Sequence, residues 1–451
     1  MSSFNIVECP DRTMTYFEAG GARVDVTPDW PVYMSGYGGR NEPSSGVHDP
    51  LYATSLVIRD GASRVAIVSV DLLNVSMEFG AAVRRAVATG VAGVDEVVLS
   101  ATHTHGGPHI PARALDMDPA LAIDEDVTDV VEHVRSGIVE SVRQASERAE
   151  PATVRLGRAR NDAVPNNRRA AGGVGGNVRL PIGGIDLELV ALDVETESGD
   201  RTIVYNFACH PTCTSGAETL LTADWPGYTR ERVESEHDAR VLFLNGASAD
   251  INPRPTDAPR SGDPVYEYME TIGTAVGETV LEAVADAAAN PVLVDPPVRA
   301  ERVDLALPIK SLPSRDVLER RRDELTDELD RLREAGDDAG AAAVRWDHRY
   351  VQTMLMLAGF GARRLPTTMS YVELGDVGLL GMPGEVFVEH GLDFKAAASA
   401  ETLLPMGNAD DYVGYLPTLK EFANGGYEVL TAKVAPEAIG QFRETAFDLI
   451  A

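Results

Sequence analysis

Apolar residues along this chain gather in short runs whose period changes from place to place, and those changes mark elements. Thr54–Arg59 and Arg64–Val70 are β-branched runs of strand length separated by Asp60-Gly61, a turn pair, so they predict two strands joined as a hairpin. Ser76–Ala88 has helical spacing, with Ser76 placed to cap it, Glu78 in the first turn and Gly90 just past the end. Glu96–Thr102 reads as a third strand and Glu125–Ala149 as a long amphipathic helix. Ile203–Ala208 and Arg240–Leu244 read as further strands, Tyr266–Ala288 as another helix, and Val377–Leu380 as a late strand before Pro383-Gly384. The expected fold is α/β: layered mixed β-sheets flanked by helices, mixed because the first two strands form a hairpin.

Residues 314–359 depart from that rhythm. They are densely charged, with Leu318, Leu325, Leu329 and Leu332 at roughly helical spacing and a break at Gly336-Asp337-Asp338. This predicts a charged helical hairpin insertion packed on the body. With no internal repeat and no low-complexity linker, residues 1–451 are expected to form a single catalytic domain that contains the hairpin.

Charge adds to this picture. Asp and Glu number 70 against 40 Lys and Arg, a net charge of −30, and the basic residues include just four lysines, Lys310, Lys395, Lys420 and Lys433. A surface of that sign disfavours nucleic acid and anionic membranes as partners. It reads as a protein kept soluble at high salt, where screening relieves self-repulsion, and so as a halophilic one. No run of 18 apolar residues occurs, and Met1–Tyr16 lacks the apolar core of a signal peptide, so a cytoplasmic protein without stable membrane insertion is expected. Cys9, Cys209 and Cys213 are too few for a disulfide framework. Cys209 and Cys213 flank His210, but structural zinc needs four ligands and no second cysteine pair exists, so small buried thiols are the better reading.

Candidate chemistry sits where apolar runs end. Glu96–Thr102 leads into His103-Thr104-His105-Gly106-Gly107-Pro108-His109; the run through Ala208 leads into Cys209-His210-Pro211. Arg240–Leu244 leads into Asn245 through Asp250-Ile251-Asn252-Pro253, the late strand into Pro383-Gly384-Glu385, and the run ending at Val70 into Asp71. Ligands of open α/β sheets bind at such ends, so a shared site is expected. On an extended backbone residues i and i+2 face the same way, which would bring His103 and His105 to one centre. Imidazoles mixed with a carboxylate suit zinc. His48 is left without an assigned role; His133, His237 and His348, among charged residues, read as solvated surface. A serine nucleophile is disfavoured because Ser248 lacks a Gly-x-Ser-x-Gly elbow.

These stretches resemble the neutral/alkaline (non-lysosomal) ceramidases, and in particular their short microbial homologues. The resemblance is carried by Arg23-Val-Asp-Val-Thr-Pro28, Met34-Ser-Gly-Tyr-Gly-Gly-Arg40, Gly46-Val-His-Asp-Pro-Leu-Tyr52, Ser100-Ala-Thr-His-Thr-His105, Asn206-Phe-Ala-Cys-His-Pro211, Ala223-Asp-Trp-Pro-Gly227, Asp250-Ile-Asn-Pro253, Met382-Pro-Gly-Glu385 and Val413-Gly-Tyr-Leu-Pro-Thr418. It implies a zinc-dependent hydrolase cleaving an N-acyl amide, or a related ester, by a metal-activated water. Carried over residue by residue, it places the metal ligands at His103, His210, Glu385 and Tyr415, with Tyr412 and Glu389 as neighbouring rivals. His105 would face the substrate, Arg168 would contact it, and Tyr427 would hydrogen-bond the reacting carbonyl. His105 and Asp224 are the candidates for a general base. The implied partner is a small-molecule or lipid-like N-acyl substrate; the oligomeric state stays open.

Two departures stand out. Asn252 occupies a position where the long ceramidases carry a serine with an active-site role, which puts ceramide turnover in question. The C-terminal sandwich domain of the long enzymes is not expected, since little sequence follows Tyr427. A metal-dependent phosphoesterase and a non-catalytic ligand-binding homologue are the alternative readings.

Overall fold

The computed structural model describes residues 17–37, 40, 42–111, 125–170, 184–254 and 262–451. Cys9, Gly38-Gly39 and the N-terminal stretch read above lie outside the described residues.

Alternation of side chains builds the larger sheet. Arg64–Val70 pairs antiparallel with Tyr52–Arg59, as its turn chemistry predicted, and parallel with Glu96–Ala101. Tyr52–Arg59 pairs with Phe17–Asp25, which pairs with Glu150–Arg160. Beyond it lie Glu188–Thr196, Arg201–Phe207 and Arg240–Asn245, the last two parallel. Along each strand alternate residues reach opposite faces. Val57, Val68 and Leu99 meet helices on one face, whereas Leu56, Ile67 and Val98 meet a second sheet on the other.

That second sheet consists of Val298–Pro308, Arg364–Leu374, Val377–Gly381 and Thr402–Met406. Its Val372, Leu374, Leu379 and Leu404 share one core with the first sheet. Its outer face, through Leu380 and Met382, is covered by the helix Pro436–Ile450 with Ile439 and Phe442. The fold is therefore layered helix, sheet, sheet, helix, the mixed α/β class that the sequence predicts.

The helices cover apolar faces for identifiable reasons. Met77–Gly90 starts where the Ser76 hydroxyl accepts from Phe79 N at 3.2 Å, which satisfies an otherwise orphaned N–H. Glu125–Glu147 buries Val130, Val134, Ile138 and Val142, a stripe of period four, against the first sheet. Asp263–Ala289 packs Met269, Val276, Val280 and Ala283 on the neighbouring strands.

The charged insertion is a helical hairpin, Arg315–Glu334 and Asp338–Phe360, one residue displaced from the expected limits. Leu318 and Leu325 meet Val351 and Met354 in a small core of its own. Lys310 ties it to the body: its ammonium lies 4.9 Å from the Tyr350 ring centroid and donates to Leu430 O at 2.8 Å. No helix among the described residues is long and apolar enough to cross a membrane.

Candidate metal centre and active site

The ends of the parallel strands are stitched together by backbone hydrogen bonds, and this brings distant residues to one place. Ala101 N donates to Asn408 O at 3.1 Å and Gly407 N to Asn245 O at 2.9 Å, joining the two sheets at their rims. His210 N donates to Ile251 O at 2.9 Å, and Ala249 N to Val386 O at 3.0 Å. Glu385 lies in a two-residue strand, Glu385–Val386, paired in parallel with Tyr415–Leu416 so that Glu385 and Tyr415 are register partners.

His103, His210 and Glu385 converge. Nε2 of His103 is 3.2 Å from Nε2 of His210, and Glu385 Oε2 is 3.2 Å from His210 Nε2 and 3.6 Å from His103 Nε2. All three are buried. The opposite ring nitrogens are committed: His103 Nδ1 lies 2.7 Å from Leu73 O and His210 Nδ1 lies 2.6 Å from Ser248 O. A carbonyl only accepts, so these contacts place a proton on Nδ1 of each ring and turn Nε2 toward the centre. Burial, foremost, pushes the His210 ring down to about 4, so it is neutral at pH 7. Burial by itself would raise the Glu385 carboxyl, but His103 and His210 beside it hold it well below the usual range. Two imidazole Nε2 atoms and a carboxylate oxygen thus face one another at contact distance. Such a cluster needs positive charge between its members, either a ring proton or a metal ion, and carbonyl-oriented imidazoles are the usual setting of metal-ligating histidines. His2Glu is moreover a ligand set of catalytic zinc.

His105 completes the wall. Candidate ligand atoms of His103, His105 and His210 all lie within 4.8 Å of one another. Neither ring nitrogen of His105 has a hydrogen-bond partner among the described residues. Burial, then the neighbouring histidines, lower its pKa well below the ordinary value, so it too is neutral at pH 7. The route by which it arrives differs from the expectation of an extended His-x-His. His103 has φ +70°, outside the extended region, and its ring stands edge-on to that of His105 at 5.2 Å. Both rings reach the centre because the strand has already turned, not because i and i+2 share a face.

Of the rival residues, Glu389 is half-exposed and pairs with Lys420 at 3.2 Å, away from the histidines. Tyr412 donates its hydroxyl to Glu385 Oε1 at 2.6 Å, while the Tyr415 hydroxyl accepts from Arg168 Nη2 at 3.3 Å. Both tyrosines therefore line the centre, Tyr412 by a direct bond to Glu385 and Tyr415 by its register beside it. Tyr427 meets the Tyr415 ring edge-on at 5.6 Å, and burial followed by the Glu385 charge raises its pKa. Arg168 donates Nε to Glu428 at 2.7 Å and Nη1 to Asn252 Oδ1 at 3.2 Å.

Other expectations find different uses. Asp224 caps the helix Trp225–Glu234 by accepting from Trp225 N at 2.7 Å and also accepts from Cys213 N at 2.9 Å. Its oxygens hold backbone, a poor setting for a general base. Asp71 leaves the shared site: Oδ2 accepts from Tyr52 N at 2.9 Å and from Arg230 at 3.2 Å. Asp250 accepts from Val388 N and Asn167 Nδ2, so it anchors loops. Cys209 and Cys213 are buried in the apolar core, as small thiols were expected to be. His48 stacks on Tyr266 with centroids 3.9 Å apart and meets the Tyr228 hydroxyl at 2.9 Å. His133 is half-buried, edge-on to Trp30, and so is not a solvated surface residue. Sequence reasoning missed Arg169, Glu421 and Glu428, which form a buried row of ion pairs ending at Arg168; the adjacent arginines Arg168-Arg169 in a lysine-poor acidic chain were the available signal.

The fold and the site thus define a four-layer α/β protein with a buried His/His/Glu cluster at the strand ends. Residues 17–249 match the family model of the neutral/alkaline non-lysosomal ceramidases, N-terminal part, and the chain belongs to that family. It is similar to the neutral ceramidase of Pseudomonas aeruginosa, with 25% identity over 278 residues, 56% of this chain and 40% of that protein. The match thus spans less than half of the curated relative. The crystal structure of the Pseudomonas aeruginosa neutral ceramidase superposes with TM-score 0.74 and 21% identity, covering 97% of this chain and 74% of that one. A ceramidase complexed with C2 gives TM-score 0.74, 18% identity, and 97% and 75% coverage. At those identities the superpositions establish the shared fold.

Proposed function

We propose that the chain is a zinc-dependent hydrolase of N-acyl amides or related esters, with His103, His210 and Glu385 holding the metal and a tyrosine, Tyr415 as the family resemblance implies, completing the set. The observation that carries this reading is the convergence of three atoms of metal-ligand type: Nε2 of both histidines and Oε2 of Glu385 within 3.2–3.6 Å of one another. When bound, zinc would lower the pKa of a water to near neutrality and polarise a carbonyl oxygen.

The remaining chemistry belongs to the chain. His105, neutral and with both ring nitrogens unpartnered among the described residues, is placed to accept a proton or donate to an oxyanion. The Tyr427 phenol stays protonated, because burial and Glu385 raise its pKa, and so can donate to developing negative charge. Arg168 offers a fixed cation beside Tyr415 and Asn252 to orient the polar part of the substrate. Asn252 holds Arg168 through its amide oxygen, so a serine there would release one guanidinium N–H and reshape recognition of a sphingoid alcohol. We therefore expect weak turnover of ceramide itself and better turnover of simpler N-acyl compounds. A two-metal phosphoesterase is less well supported, because Asp71, Asp224 and Asp250 are all engaged with backbone or arginine.

The test is elemental analysis joined to a substrate panel at high salt. Wild type should carry close to one zinc per chain, and His103→Ala and His210→Ala should each lose it, because so few ligands hold it. Short-chain amides and esters should be cleaved, ceramide poorly, and Asn252→Ser should gain on ceramide. Full metal retention by both histidine variants would reject the site; efficient ceramide turnover by wild type would reject the substrate assignment.

A further inference from the structure

Around Arg168 the chain buries more charge than one substrate contact requires. Arg169, fully buried, donates Nε and Nη2 to Glu421 Oε2 at 2.9 and 2.6 Å, Nη2 also to Gly425 O at 2.8 Å, and Nη1 to Glu428 Oε2 at 2.6 Å. The other oxygen of Glu428 accepts Arg168 Nε at 2.7 Å. Two guanidinium groups and two carboxylates alternate as Glu421, Arg169, Glu428, Arg168, and the net charge of the row is zero. Buried carboxylates of this kind persist when each oxygen is paired and hydrogen-bonded.

The row has a direction. Its outer end, Glu421 and Arg169, is tied to the helix Leu419–Asn424 and the turn at Gly425, while its inner end is Arg168, whose terminal nitrogens reach Asn252 and the Tyr415 hydroxyl. Glu428 takes the Nε edge of Arg168, so the terminal edge of that planar fork is the one turned to the site. Glu428 also follows Tyr427 directly in the short helix Tyr427–Thr431. A grip on its carboxylate therefore sets the place of the residue before it. We propose that Glu428 is a positioning residue: held by Arg168 and Arg169, it fixes the angle at which Arg168 meets the substrate and the seat of Tyr427 beside it. This rests on the reading of Arg168 as a substrate contact. It adds a specificity consequence, since a neutralised guanidinium fork is built to orient a carbonyl or hydroxyl group beside a dication without repelling the metal.

A double-mutant cycle decides it, using the full chain loaded with zinc. Arg168→Ala, Glu428→Gln and the double variant are compared for kcat and KM on a short-chain N-acyl amide, and for octanoate affinity by calorimetry, octanoate standing for the acyl product. Zinc content and the unfolding temperature are followed alongside. Each single change should raise KM and weaken octanoate by about tenfold with zinc retained, and in these two readouts the double variant should be within about twofold of Arg168→Ala, because there both act through Arg168, whereas kcat should fall further in the Glu428 variants through the displaced Tyr427. Glu421→Gln, which loosens only the outer end, should leave KM within about threefold while lowering the unfolding temperature. If Glu428→Gln does not accumulate folded, Glu428→Asp, which keeps the charge and withdraws it by one methylene, takes its place under the same criteria. Additive effects of the two changes on KM and octanoate affinity, or an unchanged KM and octanoate affinity in the Glu428 variant, would overturn the assignment. A wild type that cleaves no amide defeats the hydrolase reading and leaves the octanoate cycle to decide this one; a wild type that neither cleaves amides nor binds octanoate overturns both.

Discussion

A substitution that leaves the chemistry of His105 untouched but displaces it offers a sharp test of the site. Gly36 has φ +104°, and a Cβ built there would lie 2.6 Å from both Cγ and Nδ1 of His105 and 2.7 Å from its Cβ. Ordinary contact begins at 3.4 Å, so His105 would have to retreat by about 0.8 Å, a displacement near the ~1 Å that can cost about a hundredfold in rate when it falls on a catalytic group. The two loops cannot simply part, because Ser35 N donates to Gly107 O at 3.1 Å and Arg40 donates to His105 O at 3.1 Å. Gly36→Ala also forces an alanine into a left-handed conformation, at about 1–3 kcal/mol.

Gly61→Ala separates the two effects. Gly61 has φ +88° with nothing within 4 Å of a built Cβ, so it carries the backbone strain without the collision. Both variants should unfold a few degrees below wild type, whereas Gly36→Ala alone should lose kcat/KM, by about thirty- to a hundredfold, with zinc largely retained. If Gly36→Ala keeps kcat/KM within about twofold of wild type while its unfolding temperature falls as in Gly61→Ala, His105 is not part of the machinery.

Tyr427→Phe removes one hydroxyl and should keep its zinc while the rate falls by ~10²–10³ with little change in KM; an unchanged rate would make Tyr427 a packing residue. Asp49, pushed up to about 7 chiefly by burial from an ordinary 3.8, holds its proton more tightly folded than unfolded. Its contribution to stability is therefore complete below about pH 4 and is lost as pH rises through about 7. Asp49→Asn, which keeps an acceptor for Ala223 N, should accordingly gain unfolding temperature over wild type as pH rises across that range and level off above it; a gain independent of pH would refute the assignment. With a net charge of −30, compactness and activity should increase from low to molar KCl as repulsion is screened, and full stability without salt would dismiss salt adaptation.

Strands and helices with steep apolar patterns were legible in the sequence to within a few residues. Arg64–Val70 was located without error, and Ser76 caps its helix as its chemistry suggested. The strands that escaped notice lack such a pattern. Val298–Pro308 carries Arg299, Glu301 and Arg302 and buries few of its side chains fully, yet it pairs along its whole length with Arg364–Leu374. Phe17–Asp25 contains Gly20-Gly21, which reads as a break in a strand; the chain needs it because Cβ atoms there would lie 2.4 Å from Ala145 O and 2.0 Å from the Thr202 hydroxyl. Local propensity cannot report a partner hundreds of residues away, and close approach is a property of that partner.

The same limit divides the site. His103, His210 and Glu385 could be picked out because each follows an apolar run, and strand ends are where such folds gather ligands. Their orientation could not, since it depends on Leu73 O and Ser248 O, backbone atoms that every residue supplies. Glu421 and Glu428 were harder still. Each is an acidic residue in the first turn of a short helix, the commonest setting for a carboxylate that favours the helix dipole. In a chain with 70 acidic residues nothing in their type or spacing separates them from a solvated acidic surface. What separates them is burial against Arg169 and Arg168, arginines 252 and 260 positions away respectively. A buried carboxylate without its guanidinium would be strongly disfavoured, so the adjacent pair Arg168-Arg169 and the two glutamates are intelligible only together. An acidic surface supplies charge that any of its members can replace. The Glu421–Glu428 row supplies charge at two fixed points, and that difference is what the Glu428 and Glu421 variants measure.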